Sequence, residues 1–319
     1  MYAASVQDYA AAPRYSEVQP PEPQGDEVVV TMLAAAVSQL VRAQASGKHY
    51  SSPKTLPFVP GVDGIGRLAD GTRVYCSFPR IPHGTMAEQT VVPRSQCVAM
   101  PDDLDAVTAA AIANPGMSSW VALKQRARFV AGESVLINGA TGASGRLAIQ
   151  IAKHLGARRV IATGRTAKSV GPLTALGADV TIALDQSAAH LSEIFHRELR
   201  DPGVDVVLDY LWGHSAELII AASGGHGGQT AEPRVRFVQI GNLSGPTISL
   251  HGGVLRSSGL ELIGSGLGSV SHPGLVSAVG EMLHAVRPAG LQVDAEPAPL
   301  SDVESAWEEE RSTRLVLTM

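Results

Sequence analysis

The stretch Val135 to Arg165, VLINGATGASGRLAIQIAKHLGARRVIATGR, reads as strand, glycine turn, helix and second strand. Val135, Leu136 and Ile137 form a short apolar run of the kind buried on both faces of a parallel sheet. Asn138 to Gly145 turns the chain, with glycines at 139, 142 and 145. Leu147, Ile151 and Leu155 then fall four apart and give a helix one apolar stripe, and Gly156 stands where such a helix stops. Val160, Ile161 and Ala162 begin the second strand. A βαβ unit with glycines in its first turn is a dinucleotide-binding pattern. Here the motif is AxGxxG: Ala140, Thr141, Gly142, Ala143, Ser144, Gly145. Glycine at 142 lets the backbone approach a pyrophosphate, and the helix N-terminus supplies free N–H groups and a positive dipole end. Glycine at 145 lets helix and strand pack closely.

Outward from this unit, β and α segments alternate. The sequence predicts strands at 135–137, 159–162, 180–184, 204–209, 235–240 and 259–264, with helical segments at 167–177 and 189–199 among the connections. Such alternation makes a doubly wound parallel sheet. Before it, many short strands are separated by Gly and Pro turns, and GVDGIGRL and GTRVYCSF are joined by Asp70-Gly71. That predicts a smaller, partly barrel-like β domain. Helical character is expected over 34–46, 104–112, 118–126 and 273–286. Leu315 to Leu317 is a strand assigned back to the β domain.

The chain has 319 residues, 45% hydrophobic and 17% charged. The charged share lies below the roughly 25% of ordinary soluble domains, which suits a large buried sheet. No apolar run reaches the ~18 residues of a spanning helix. The start, MYAASVQDYA, has no basic residue or apolar core, so a secretory signal is not expected and the cytoplasm is. A net charge of −5 and 4% aromatic residues argue against nucleic-acid binding. Cys76 and Cys97 are the only cysteines and are expected as reduced thiols.

Several segments together resemble the medium-chain dehydrogenase/reductase superfamily, most closely its zinc-free quinone oxidoreductases. They are LPFVPGVDGIGRL (56–68), HGTMAEQTVVP (83–93), the 135–165 unit, VDVVLDYLWG (204–213), RFVQIGNLSGP (236–246) and PLSDVESAWEE (299–309). The resemblance spans nearly the whole chain. It implies a GroES-like β-barrel catalytic domain over 1–115 and 267–319, a Rossmann domain over 116–266, and an active cleft between them. It implies a homodimer joined through the edge strand Leu260–Gly264, since exposed edges seek partners. Zinc is not expected. Ser38 and Val62 stand where the zinc enzymes carry cysteine and histidine, and no clustered cysteines supply a structural site.

NAD sites commonly hold the ribose with an acid about 20 residues beyond the glycine turn. Here the second strand ends Gly164-Arg165-Thr166-Ala167-Lys168, with no acid. Arg165 and Lys168 can pair with a 2′-phosphate and Thr166 can add a hydrogen bond, so NADPH is the expected cofactor. Gly241-Asn242-Leu243-Ser244-Gly245 resembles the loop that quinone reductases place beside the nicotinamide. An Asn-containing turn with no ligand is the alternative at Asn242. Asn114, before Pro115, is a further cleft candidate where the domains join. Asp209 ends a strand on the ligand side, or else caps the following turn.

The segment matching the substrate side is 37–50, and it departs from the family. Ser38 replaces an asparagine, Val41 an aspartate and Ala43 a tyrosine, while His49 or Tyr50 falls near a second tyrosine position. Tyr50, with His49 as alternative, is the candidate proton donor, and Ser38 the third candidate catalytic residue. The expected activity is NADPH-dependent hydride transfer to a quinone or an activated alkene or carbonyl such as an enone or alkenal. An enoyl-thioester reductase of the same fold, and a non-catalytic NADPH-binding sensor or structural protein, are the alternatives.

Overall fold

The structure is a computed structural model and describes residues 1–224, 232–311 and 313–319. Among these residues the chain divides into two compact units. One comprises Met1–Met117, Ser271–Pro288 and Gln292–Met319; the other comprises Ser118–Val270 and Ala289–Leu291.

In the first unit, β1 (Tyr2–Ser5) and β2 (Arg14–Glu17) form an antiparallel pair. Then follow β3 (Glu27–Ala36), β4 (Asp63–Arg67), β5 (Arg73–Ser77), β6 (Gln89–Pro93) and β7 (Cys97–Ala99). β3 pairs antiparallel with β4 and β6, β4 with β5, and β5 with β7. In the last of these pairs Cys76 and Cys97 are register partners. Both are buried free thiols whose pKa burial pushes up, that of Cys97 to about 11.

The second unit holds β8 (Ser134–Asn138), β9 (Arg159–Gly164), β10 (Val180–Ala183), β11 (Val206–Asp209), β12 (Arg234–Gln239) and β13 (Gly259–Gly264). All run parallel, in the order β10-β9-β8-β11-β12-β13. Counted from β8 this is the order 3-2-1-4-5-6 of a dinucleotide-binding sheet. The strand order reverses between β8 and β11, where ligands bind beyond the strands' C-terminal ends. β8 is buried throughout. Leu136, Ile161, Val207 and Phe237 share a core with Leu191, Phe195 and Ile219 from the helices Ala188–Glu198 and Gly213–Ala222. Each such side chain contributes about 1.5–3 kcal/mol of burial.

The chain then returns to the first unit. β14 (Ala295–Pro299) and β15 (Arg314–Thr318) are parallel to each other, and β15 pairs antiparallel with β3.

Two helical expectations fail. The segment 34–46 is not one helix. Ala34, Ala35 and Ala36 finish β3, because Thr318, Leu317 and Val316 pair with them. Only Gln39–Ala45 is helical. The segments 104–112 and 118–126 are helical but not separate helices: one α-helix runs through both and passes into a π turn at Ala122–Ala127. Ala106–Val121 is continuous and contains Pro115. Its buried Ala and Ile residues hold it in place, and Gly116 lets Met282 approach: a Cβ there would lie 2.5 Å from the sulfur. Packing overrides the break that a proline imposes on an isolated helix. The helix Gly213–Ala222 was not among those named from the sequence.

One polar cluster lies inside the first unit. Asp63 on β4 is 4% exposed and faces Ser77 across the β4–β5 ladder. Its Oδ1 has no hydrogen-bond partner, and neither do Ser77 Oγ nor Arg314 Nε and Nη2. Burial pushes the Asp63 carboxyl up to about 6, against the opposing pull of the Arg314 guanidinium and the Tyr75 hydroxyl.

Candidate cofactor site

The glycine turn follows β8 directly. Gly139 takes a left-handed φ of +93°, and a Cβ there would lie 2.8 Å from the Leu211 side chain. Gly139 N donates to Thr163 Oγ1 at 3.0 Å and Ala140 N donates to Thr163 O at 2.7 Å, which ties the turn to β9. Gly142 is the N-cap of the helix Ala143–His154. It is exposed, with open space where a Cβ would stand. Gly145 is the opposite case: its Cβ would come within 2.5 Å of Ala140 Cα and Gly139 O. One glycine therefore keeps the helix N-terminus open, and the other seats the helix on the turn. Ala143 and Ser144 lie in the first helical turn rather than in the loop. First-turn N–H groups have no intrahelical acceptor and carry the positive end of the dipole, so this cradle fits a pyrophosphate.

At the end of β9, Gly164 is close-packed, since a Cβ would strike Thr141 Cγ2 at 2.5 Å. The glycine turn and the Arg165 segment are thus adjacent. Arg165 and Lys168 are exposed. Thr166 is not simply available as a ligand group. Its oxygen accepts from Ser169 N at 3.2 Å in a capping box, and Ser169 Oγ accepts from Thr166 N at 3.0 Å. The two cations remain as the candidates for a 2′-phosphate.

Beneath the turn lies a buried polar network. Asn138 Nδ2 donates to Asp209 Oδ1 at 2.8 Å and to Ser215 Oγ at 2.9 Å, and Asn138 Oδ1 accepts from Thr163 Oγ1 at 2.8 Å. Asp209 also accepts from Leu211 N and Trp212 N, each at 3.1 Å, so it does cap the following turn. Burial raises the Asp209 pKa, and the donors from Asn138, Trp212 and Leu211 oppose that rise. Trp212 has φ +59°, unusual for a bulky residue. The loop after β12 hangs from the same segment: Ile240 N and Gly241 N donate to Asp209 O, and Ser244 N donates to Leu211 O. Gly241 is required there, because a Cβ would lie 2.7 Å from Tyr210 O. Asn242 is exposed, and its carbonyl accepts from Gly245 N at 3.0 Å to close a turn.

The remaining candidates lie in the first unit. Ser38 is buried and caps the helix Gln39–Ala45, its Oγ accepting from Val41 N at 3.1 Å. His49 Nδ1 meets Ser51 Oγ at 2.7 Å, and its ring lies 4.2 Å from that of Tyr50. Tyr50 is 85% exposed. Asn114 is half-buried within the helix Ala106–Val121, not in a connecting loop. Among the described residues no group of three His, Cys, Asp or Glu side chains is placed to hold a metal ion. Among them, too, no helix is long and apolar enough to cross a membrane.

Sequence reasoning passed over Asn138, Thr163 and Ser215. The available signal was Asn138 itself, an amide closing an otherwise apolar strand.

An open glycine turn at the switch point of a 3-2-1-4-5-6 sheet defines a dinucleotide-binding protein. The family "Zinc-binding dehydrogenase" matches residues 143–284. The probable NADPH-dependent quinone reductase tdiC of Emericella nidulans is 27% identical over 366 aligned positions, covering 99% of this chain and 99% of that protein. The chloroplastic NADPH-dependent alkenal/one oxidoreductase of Arabidopsis thaliana is 28% identical, covering 71% of this chain and 62% of that protein. A solved mycobacterial quinone oxidoreductase shares the fold, with a TM-score of 0.86, 23% identity and full coverage of both chains. Over its whole length the chain is thus similar to a quinone reductase, and residues 143–284 match the zinc-binding dehydrogenase family, as the medium-chain dehydrogenase/reductase resemblance implies.

Proposed function

We propose that this protein is a zinc-independent, NADPH-dependent reductase that transfers hydride to a quinone or to an activated alkene or carbonyl. The observation that carries the reading is an open phosphate turn set beside the acid-free end of β9, with Arg165 and Lys168 exposed. NADPH supplies the hydride when bound. The chain's part is to hold the pyrophosphate at the N-terminus of the helix Ala143–His154 and to pair the 2′-phosphate with the two cations. The loop 241–245 takes the nicotinamide half. Ser38 already serves as a helix cap, which leaves Tyr50 and His49 as the candidate proton donors. Zinc independence is supported by Ser38 and Val62, neither of which is a thiolate or an imidazole.

The test is NADPH consumption across a panel of quinones, enones, alkenals and enoyl thioesters. Turnover of quinones or enones supports the proposal. Preference for enoyl thioesters redirects it to a thioester reductase of the same fold. Tight NADPH binding without oxidation across the panel replaces it with a sensor or structural role. The reading extends to a cytoplasmic homodimer joined through β13, which ends the sheet order and leaves Leu262 at 39% exposure. Light scattering that gives a monomer at micromolar concentration contradicts the dimer.

A further inference from the structure

The Asn138 side chain touches two segments that serve different halves of a dinucleotide. Through Thr163 Oγ1 it reaches Gly139 N and the phosphate turn. Through Asp209 it reaches Leu211 N and Trp212 N, and the same strand end carries the 241–245 loop on Asp209 O and Leu211 O. Both amide donors of Asn138 are used, on Asp209 and Ser215. Asn138 and Asp209 are 0% exposed and are register partners on β8 and β11, where the strand order reverses. A buried amide and carboxylate bring no stability that two apolar side chains of similar size would not. What they add is a fixed geometry, because each hydrogen bond has one length and one direction.

We infer that Asn138 is a positioning residue that sets the spacing between the phosphate turn and the loop for the nicotinamide half. It does so without touching the cofactor. The inference rests on the turn being the NADPH site. Misplacing one half-site against the other weakens the whole ligand while sparing its parts, because the two halves then no longer bind together at full effective concentration.

The test uses the full chain, with Kd measured calorimetrically for NADPH and for 2′,5′-ADP, which carries the adenosine half alone. In Asn138→Leu the NADPH Kd is expected to rise roughly tenfold or more, with the 2′,5′-ADP Kd changed less than about twofold. Asn138→Asp provides a second route if the leucine variant does not fold. It places a carboxylate against Asp209, so NADPH affinity in this variant should fall as pH rises and the pair loses its shared proton, a profile absent from the wild type. The exchange Asn138→Asp/Asp209→Asn restores a donor–acceptor pair and should recover part of the affinity. An unchanged NADPH Kd in a folded variant overturns the inference, as does equal weakening of NADPH and 2′,5′-ADP. If the wild type binds neither ligand, the cofactor reading itself fails and the inference falls with it.

Discussion

Asp209 and Asp63 are both buried carboxylates, one ending a parallel strand and the other beginning an antiparallel one. Asp209 is surrounded by donors: the Asn138 amide and the N–H groups of Leu211 and Trp212. Asp63 has one oxygen without a partner and faces a guanidinium that is itself short of acceptors. In both, burial drives the carboxyl pKa upward. Donors fix a carboxylate's orientation and thereby the backbone that supplies them. A nearby charge stabilises the carboxylate but fixes little. The first arrangement suits a site that must hold two loops at a set distance, and the second leaves a group whose charge answers to pH.

The largest effect should come from removing the donors' acceptor. Asp209→Leu strands one buried donor, the Asn138 amide, and two half-buried ones, the N–H groups of Leu211 and Trp212. A loss on the order of 2–4 kcal/mol is expected in urea denaturation. A loss under about 1 kcal/mol would mean that the network organises nothing.

The Asp63 side of the comparison is sharpened by pH. The folded carboxyl titrates near 6 and the unfolded one near 3.8, so between these values the folded state holds the extra proton. The contribution of Asp63 to stability is fully present below the lower value and is lost as pH rises through the upper one. Relative to Asp63→Asn, the wild type should therefore lose on the order of 2–3 kcal/mol between about pH 4 and about pH 7. A pH-independent difference between the two proteins breaks the contrast.

Moving outward from the Asp209 network to the exposed end of β9, Arg165→Ala should raise the NADPH Michaelis constant about tenfold while sparing that of NADH. Equal use of the two cofactors by the wild type removes the 2′-phosphate assignment. The smallest effect on stability is expected at Tyr50, which is exposed: Tyr50→Phe should change the unfolding free energy by less than about 0.5 kcal/mol in urea denaturation. The proton-donor reading fails if neither Tyr50→Phe nor His49→Ala changes turnover of any accepted substrate.

The parallel sheet was legible because its central strands β8 and β11 are apolar runs buried throughout, and the outer strands repeat the same β–α alternation. The run 135–137 lies inside β8, and 259–264 coincides with β13. Ala34–Ala36 shows where that reasoning stops. Alanines favour a helix locally, yet β15 claims them for a ladder from far along the chain. The glycines of the cofactor turn were readable because Gly139 and Gly145 each have a steric reason nearby, and Gly142 keeps the helix N-terminus open. The network under it was not. Asn138 and Asp209 are each visible in the sequence, but only the register of β8 on β11 sets one opposite the other. Thr166 likewise reads as a phosphate ligand until its partner Ser169 is seen to claim its oxygen for a cap.

The pairing of β15 with β3 has a consequence for synthesis. All six parallel strands lie between Ser134 and Gly264, so a ribosome delivers that sheet in one uninterrupted length. The antiparallel sheet is divided around it, and Ala34–Ala36 lack their β15 partners until residues 316–318 emerge. The nascent chain therefore carries an open strand edge throughout the period in which the parallel sheet can close. Release before Arg314 would leave that edge bare, and such a fragment should be held by chaperones or aggregate, although its nucleotide-binding half is complete.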